Sequence, residues 1–257
     1  MPDPFLVHCH IPKTGGSALN RRFLYPALGE RYVYQLYRYV FERASRIPTR
    51  HVSRAMRSHA ATGHVPFGFF DRVYPEALYF SVFREPIERM VSFLNFVLTN
   101  PEHKVNARLP QQAVLNASDD PDAYVAAVLA EPRLQVVQAN VQTRIAGGAA
   151  RLGDRPVGHE HLAQALENLS HRRYLVGHQS DLDGFIDGLS QFSGLRFRPK
   201  DRPTESNARL EKRLPRVLRL TDLKPRTIDM LRAANDLDLA LCDSVAERQG
   251  LSVRKAA

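Results

Sequence analysis

Apolar residues gather in three short runs along this chain, Phe5 to His10, Leu78 to Phe83 and Tyr174 to Gly177. Runs this short and this apolar read as strands buried on both faces. Elsewhere the spacing becomes helical. Ser17 to Leu28, Ile87 to Thr99, Pro121 to Leu129, Arg133 to Ile145 and His159 to Leu169 are predicted helices, the fourth ended by Gly147-Gly148. Tyr32 to Arg46 carries aromatics at Tyr32, Tyr34, Tyr37, Tyr39 and Phe41, a spacing that suits a helix better than a strand over that length. The stripe reads first as core packing, with a cleft wall as the sharper alternative. His51 to Thr62 leads through a short strand into a loop at His64, with an aromatic turn, Phe67-Gly68-Phe69-Phe70, beside it. A helix capped at Ser180 or Asp181 follows the third run, and Pro225 opens a final helix to about Gln249. The strand–helix rhythm predicts a single α/β domain over residues 1–257, with a mostly parallel central sheet flanked by helices.

Two stretches break the rhythm. Residues 101–122 are rich in Pro, Asn, Gln and Asp without sustained periodicity, so they read as a long loop of the kind that covers ligands. Residues 196–219 are dense in Arg and Lys with three prolines, and their plain reading is a solvated charged connector.

Candidate chemistry sits where two of the strand runs end. Pro12-Lys13-Thr14-Gly15-Gly16-Ser17 follows the first run. Two adjacent glycines let successive backbone N–H groups converge on one phosphate, and the helix beginning near Ser17 adds its positive end. Lys13 precedes the glycines, so the nucleoside-triphosphate loop ending in Gly-Lys-Ser/Thr does not fit. A plain Gly-Gly turn remains the alternative for this hexapeptide alone. The second run ends in Arg84-Glu85-Pro86, with Glu88, Arg89 and Ser92 in the helix that Pro86 opens. Arg84 at a strand's carboxyl end can take a phosphate bidentately, and Ser92 is expected on the face it shares with Glu88 and Arg89. Together the two loops indicate a site for two phosphates.

These segments resemble the sulfotransferases that use 3′-phosphoadenosine-5′-phosphosulfate (PAPS), in the branch of heparan sulfate 2-O-sulfotransferase and its bacterial relatives. That family opens with a strand and a Pro-Lys-Thr loop, matched by Ile11 to Ser17. Its second signature, Arg-Asp-Pro-x-x-Arg-x-x-Ser, is matched by Arg84 to Ser92, with Glu85 for the usual Asp. Its His-Gly-His is reduced here to Thr62-Gly63-His64, and a weaker match runs through Tyr174 to Gly177 and Leu237 to Leu241. The resemblance implies an O-sulfotransferase acting on a hydroxyl acceptor, first a carbohydrate on a glycan or glycolipid and second a small molecule. It implies that Lys13, Thr14, Gly15, Gly16 and Ser17 hold the donor's 5′-phosphosulfate and that Arg84 and Ser92 hold its 3′-phosphate. Lys13 would also neutralise the leaving phosphate, and His64 would be the base, since an imidazole can accept a hydroxyl proton near neutral pH. His59 is the reserve base, while His8 and His10 are expected to be structural. The family folds a basic loop over the nucleotide, which makes Asn207, Arg209 and Lys212 donor-contact candidates. Thr62, in place of the first histidine, puts a uronic acid acceptor in doubt, although its hydroxyl could still orient substrate. The family's donor is PAPS and its spent form adenosine 3′,5′-bisphosphate (PAP), with no metal.

Composition narrows the classes. Thirty-six basic against 27 acidic residues give a formal charge of +9, which favours an anionic ligand. Charge alone leaves nucleotide, glycan and nucleic acid open; the resemblance assigns it to nucleotide and glycan, without a nucleic-acid partner. Cys9 and Cys242 are too few for a disulfide framework and read as reduced core residues. No membrane-spanning run or leader is apparent, so a bacterial cytoplasmic setting is expected. Two alternatives stand beside sulfotransfer. A phosphotransferase would need an acidic Mg²⁺ ligand at a strand end, and a non-catalytic polyanion binder would leave the two strand-loop-helix motifs unexplained.

Overall fold

A computed structural model describes residues 4–36, 53–100, 108–117, 119–132, 138–148, 156–195 and 218–248. The apolar runs form strands β1 (Leu6–Cys9), β4 (Leu78–Phe83) and β5 (Tyr174–His178), joined by β2 (Val33–Leu36) and β3 (Ala60–Gly63). All four pairings are parallel and the order is β2-β3-β1-β4-β5. β1 is therefore flanked by β3 and β4, and the chain leaves β1 toward one edge and β4 toward the other. In open α/β sheets the crevice at such a reversal, outside the carboxyl ends of the strands, is where ligands bind.

Alternation along β1 assigns its two faces. Phe5, Val7 and Cys9 join Tyr79, Phe83, Val141, Ile145, Leu241 and Val245 in one core, under the helices Val141–Ala146, His159–Asn168 and Asp236–Arg248. Leu6, Phe80 and Val82 face Leu19, Phe23, Phe185 and Leu189 in the other. Burial on both faces explains why the strands read as continuous apolar runs. A third core lies beyond the sheet, where the Pro86–Leu98 helix packs Met90, Leu94 and Val97 against Tyr124, Val125 and Leu231.

Several sequence expectations need correction. The Tyr32 to Arg46 segment does not begin as a helix: Val33–Leu36 is β2, held in register on β3 from Val33 opposite Ala60 to Leu36 opposite Gly63. Residues 37–52 lie outside the described residues. The helix expected over Arg133 to Ile145 is interrupted at Asn140, whose φ of 51° is left-handed, and the described helix is Val141–Ala146. The final helix is two, Pro225–Ala234 and Asp236–Arg248, parted at Asn235, whose Oδ1 accepts from Arg89 and from the Asn140 N–H. Within residues 101–122 a short helix, Gln111–Leu115, interrupts the expected loop, while 101–107 lie outside the described residues. The helix after β1 is continuous from Gly16 to Leu28 but widens into a π-turn at Asn20–Leu24, where Tyr25 N–H bonds Asn20 O. Pro26, in the following turn, has no N–H to give Arg22.

Close packing at the carboxyl end of the sheet gives a stability test. A Cβ on Gly63 would collide with the Leu36 carbonyl, whereas one on Gly188 would meet nothing within 4 Å. Gly63→Ala is expected to lose ~1–3 kcal/mol, and Gly188→Ala, inside the Leu182–Ser193 helix, to gain up to ~1 kcal/mol. Urea unfolding measures both, and a Gly63→Ala midpoint at or above that of the parent would contradict the packing.

Candidate active site

The loop after β1 is shaped by two left-handed residues, Lys13 (φ 68°) and Gly15 (φ 94°). A lysine in this region is strained by ~1–3 kcal/mol, a cost that persists where surrounding contacts over-determine the backbone. Those contacts are present: the buried Thr14 hydroxyl donates to the Ile11 carbonyl at 3.0 Å, and the Lys13 carbonyl accepts from Arg84 Nη1 at 3.4 Å. Gly16 opens the helix and admits no side chain, because a Cβ there would collide with the His10 ring. Ser17 is exposed at the helix start. Alternating hand through residues 13–15 turns N–H groups to one side, the concavity that holds oxyanions.

Arg84 follows β4 and faces that loop. Besides its bond to Lys13 it approaches Glu88 Oε2 at 3.3 Å, and its Nε is buried without a hydrogen-bond partner among the described residues. A guanidinium nitrogen in this state beside a Gly-rich loop is able to bond an anion. Glu85 caps the Pro86–Leu98 helix by accepting the Glu88 N–H at 2.6 Å. An acid before Pro86 is therefore a helix cap, and desolvation raises its carboxyl above the usual range. Glu88, half-buried Ser92 and Phe96 recur every fourth residue on one face. The Lys13 ammonium lies 4.6 Å from the Phe96 ring centroid, so this face fronts the β1 loop and brings Lys13, Arg84 and Ser92 to one side. Arg89 does not share it. It is fully buried and donates to the Gln138 carbonyl at 2.6 Å.

Three histidines run from the interior to the site. The His8 and His10 rings stack at 5.1 Å, and His10 lies 5.2 Å from His64. His64 Nδ1 donates to the His10 carbonyl at 2.7 Å, which leaves Nε2 as the proton-accepting nitrogen of the neutral ring. His64 follows the carboxyl end of β3, beside the β1 loop. His59 precedes β3 at its amino end, exposed, with its ring against Tyr32; the length of the strand separates it from the site. Thr62 turns to the interior. It is fully buried and accepts from Asn20 Nδ2 at 3.0 Å, while His8 Nδ1 bonds Asn20 Oδ1 at 2.7 Å.

Motif reading missed residues that set this geometry. Gln142 grips the Arg84 backbone at both ends, taking its N–H at 3.0 Å and giving Nε2–H to its carbonyl at 2.9 Å. Asp238, fully buried, holds the N–H groups of Gln142 and Thr143 at 3.1 and 2.7 Å. His178, opposite Phe83 in the β4–β5 register, and Gln179, whose Cγ would lie 3.4 Å from a Cβ on Gly15, add to the rim. Asp238 falls within the weaker Leu237 to Leu241 match but has no assigned role there, and the others belong to no motif; the β4–β5 pairing brings His178 to the rim, and helix packing brings Gln142 and Asp238 against Arg84. Asn207, Arg209 and Lys212 lie outside the described residues. Among the described residues no group of His, Cys, Asp and Glu could hold a metal ion, and no helix is long and apolar enough to cross a membrane.

Comparison with known proteins assigns the class. The profile of the sulfotransferase family matches residues 1–141, over half of the 257 residues and all of the site motifs described above. The chain belongs to the sulfotransferase family. Among solved structures it is similar to a sulfotransferase from Alicyclobacillus acidocaldarius, with 14% identity, 91% of this chain and 95% of that chain covered, and a TM-score of 0.42. It is also similar to mouse sulfotransferase SULT7A1 complexed with PAP, with 11% identity, 96% and 90% covered, and a TM-score of 0.47. No curated protein matches it.

Burial of the histidines predicts an acid-labile fold. Desolvation is the main cause lowering His8, His10 and His64, and it brings His8 to about 4. The folded value lies below the unfolded one, so the stabilisation is complete above about pH 6.5 and is lost as pH falls toward 4, with His8 contributing about 3 kcal/mol. Urea unfolding at pH 7.5 and pH 4.5 should show that loss, and a stability unchanged between them would contradict neutral burial.

Proposed function

We propose that the protein is an O-sulfotransferase that moves a sulfuryl group from PAPS to a hydroxyl of an acceptor, a carbohydrate on a glycan or glycolipid, in the bacterial cytoplasm where the donor is made. The observation that carries this reading is the bond between Arg84 and the Lys13 carbonyl, which joins the two anion-binding loops across the sheet's reversal point. The Gly15-Gly16 concavity and the orphaned Arg84 Nε fit a ligand with two anionic groups. Likeness to the heparan sulfate 2-O-sulfotransferase branch rests on the Pro12 to Ser17 and Arg84 to Ser92 motifs and on His64. The 101–122 and 196–219 segments are proposed to cover acceptor and donor, with Asn207, Arg209 and Lys212 in the latter.

The donor supplies an activated sulfuryl group on a phosphate oxygen. Backbone N–H groups through Lys13, Thr14, Gly15, Gly16 and Ser17 would bind the 5′ end of the donor, and Arg84 with Ser92 the 3′-phosphate. Lys13 places a cation where negative charge develops on the leaving phosphate, the electrostatic part of such transfers. Its left-handed backbone holds it ahead of the glycines. His64 takes the acceptor proton at Nε2 while the His10 carbonyl keeps the ring in the required tautomer.

Two experiments test these roles. Arg84→Ala is expected to weaken PAP binding by about 1.5–3 kcal/mol while leaving adenosine 5′-phosphate nearly unaffected, as titration calorimetry can measure. Equal losses for both nucleotides would remove Arg84 from the 3′-phosphate site. His64→Ala should keep PAP binding and lower turnover by ~10²–10⁴, with His59→Ala as the active control. Because burial lowers the His64 pKa, turnover of the parent should decline only below the ordinary histidine range. A fully active His64→Ala enzyme would assign the base elsewhere.

A further inference from the structure

Arg84 stands at the junction of β4 and the Pro86–Leu98 helix, where its own N–H and carbonyl belong to neither ladder. Both are met by one side chain. Gln142 Oε1 accepts the Arg84 N–H at 3.0 Å and Nε2 donates to the Arg84 carbonyl at 2.9 Å, so a planar amide closes on a single residue's backbone from both sides. Cys242 Sγ–H, 3.3 Å from the same carbonyl and 3.3 Å from Gln142 Nε2, completes the contact.

Gln142 is itself held from behind. It lies at the start of the Val141–Ala146 helix, and the N–H groups of Gln142 and Thr143 donate to the two oxygens of Asp238. Asp238 N–H in turn donates to Asn140 Oδ1 at 3.0 Å, and Asn140 Nδ2 reaches Asp236 Oδ1 at 3.2 Å, so the start of the Asp236–Arg248 helix and the start of the Val141–Ala146 helix cap each other. Gln142 and Asp238 have no exposed surface. Burying two amides and a carboxylate in complete hydrogen bonding is costly to arrange and rigid once made.

We propose that Gln142, backed by Asp238, is a positioning residue for Arg84. It fixes the arginine's backbone so that the guanidinium meets a 3′-phosphate, and it thereby sets the preference for a 3′-phosphorylated nucleotide without touching the ligand. The inference rests on the proposed PAPS reading and adds to it a determinant outside both sulfotransferase motifs. A residue that only filled the core would change binding of every nucleotide together, or none.

The test compares PAP with adenosine 5′-phosphate by titration calorimetry on the full chain, in the parent, Gln142→Met, Arg84→Ala and the double variant. Methionine keeps the length and volume of glutamine and removes both hydrogen bonds. Gln142→Met is expected to weaken PAP about 10-fold with less than about a 2-fold change for adenosine 5′-phosphate, and to add nothing once Arg84 is alanine. Should the methionine variant fail to fold, Gln142→Glu, which keeps an acceptor for the Arg84 N–H, is predicted to lie between the parent and Arg84→Ala in its PAP preference. A parent that binds both nucleotides alike removes the PAPS reading and this inference with it. A parent that prefers PAP while the Gln142 variants keep that preference in full, or lose both nucleotides equally, or add their loss to that of Arg84→Ala, overturns the positioning role alone.

Discussion

Parallel pairing of β1 with β3 on one side and β4 on the other is the constraint from which the site follows. Side by side in register, these strands place three carboxyl ends together: the loop of Lys13 to Gly16, the Gly63-His64 step and the β4 end at Arg84. The His10 N–H bonds the Gly63 carbonyl at 2.7 Å just past the last paired residues, carrying the ladder into the loop itself. The Gly15-Gly16 loop, the His64 imidazole and the Arg84 guanidinium therefore share a rim without long connections between them, and the flanking helices need only hold each strand end in place.

They do so by different means. Around β1 and β3 the means is steric: Gly16 lies against His10, and Gly63 against Leu36, closely enough that a methyl group at either position would force a shift. Around β4 it is polar, with Glu85 capping the helix that leaves the site, Gln142 bridging the Arg84 backbone and Asp238 anchoring Gln142. Arg89, next to Glu88 in sequence, turns inward to the Gln138 carbonyl and Asn235. Charged residues one position apart in the same signature thus serve opposite sides, Glu88 exposed beside Arg84 and Arg89 in the core.

Local signals were legible in the sequence and relational ones were not. β1, β4 and β5 announce themselves as apolar runs, and the two loops by the Gly-Gly and Arg-Glu-Pro that follow the first two. The short strand leading into a loop at His64 is legible and is β3, while Thr62 is interior. β2 is hidden from the sequence because Val33–Leu36 holds only Tyr34 of the aromatic stripe, too little to set a period, and pairing with β3 selects the strand. The breaks at Asn140 and Asn235 carry no Pro or Gly; each is fixed by a bond to a partner far along the chain, Asn140 N–H to Asn235 Oδ1 at 3.4 Å among them. Gln142 escaped for the same reason, since an isolated glutamine acquires meaning only from the arginine backbone brought against it by the fold.

Whether the two loops form one nucleotide site is decided by thermal unfolding with PAP in EDTA. A saturable rise in melting temperature that needs no metal is expected, with no comparable rise from ATP and Mg²⁺. Stabilisation by ATP and Mg²⁺ alone, or by neither ligand, would contradict it.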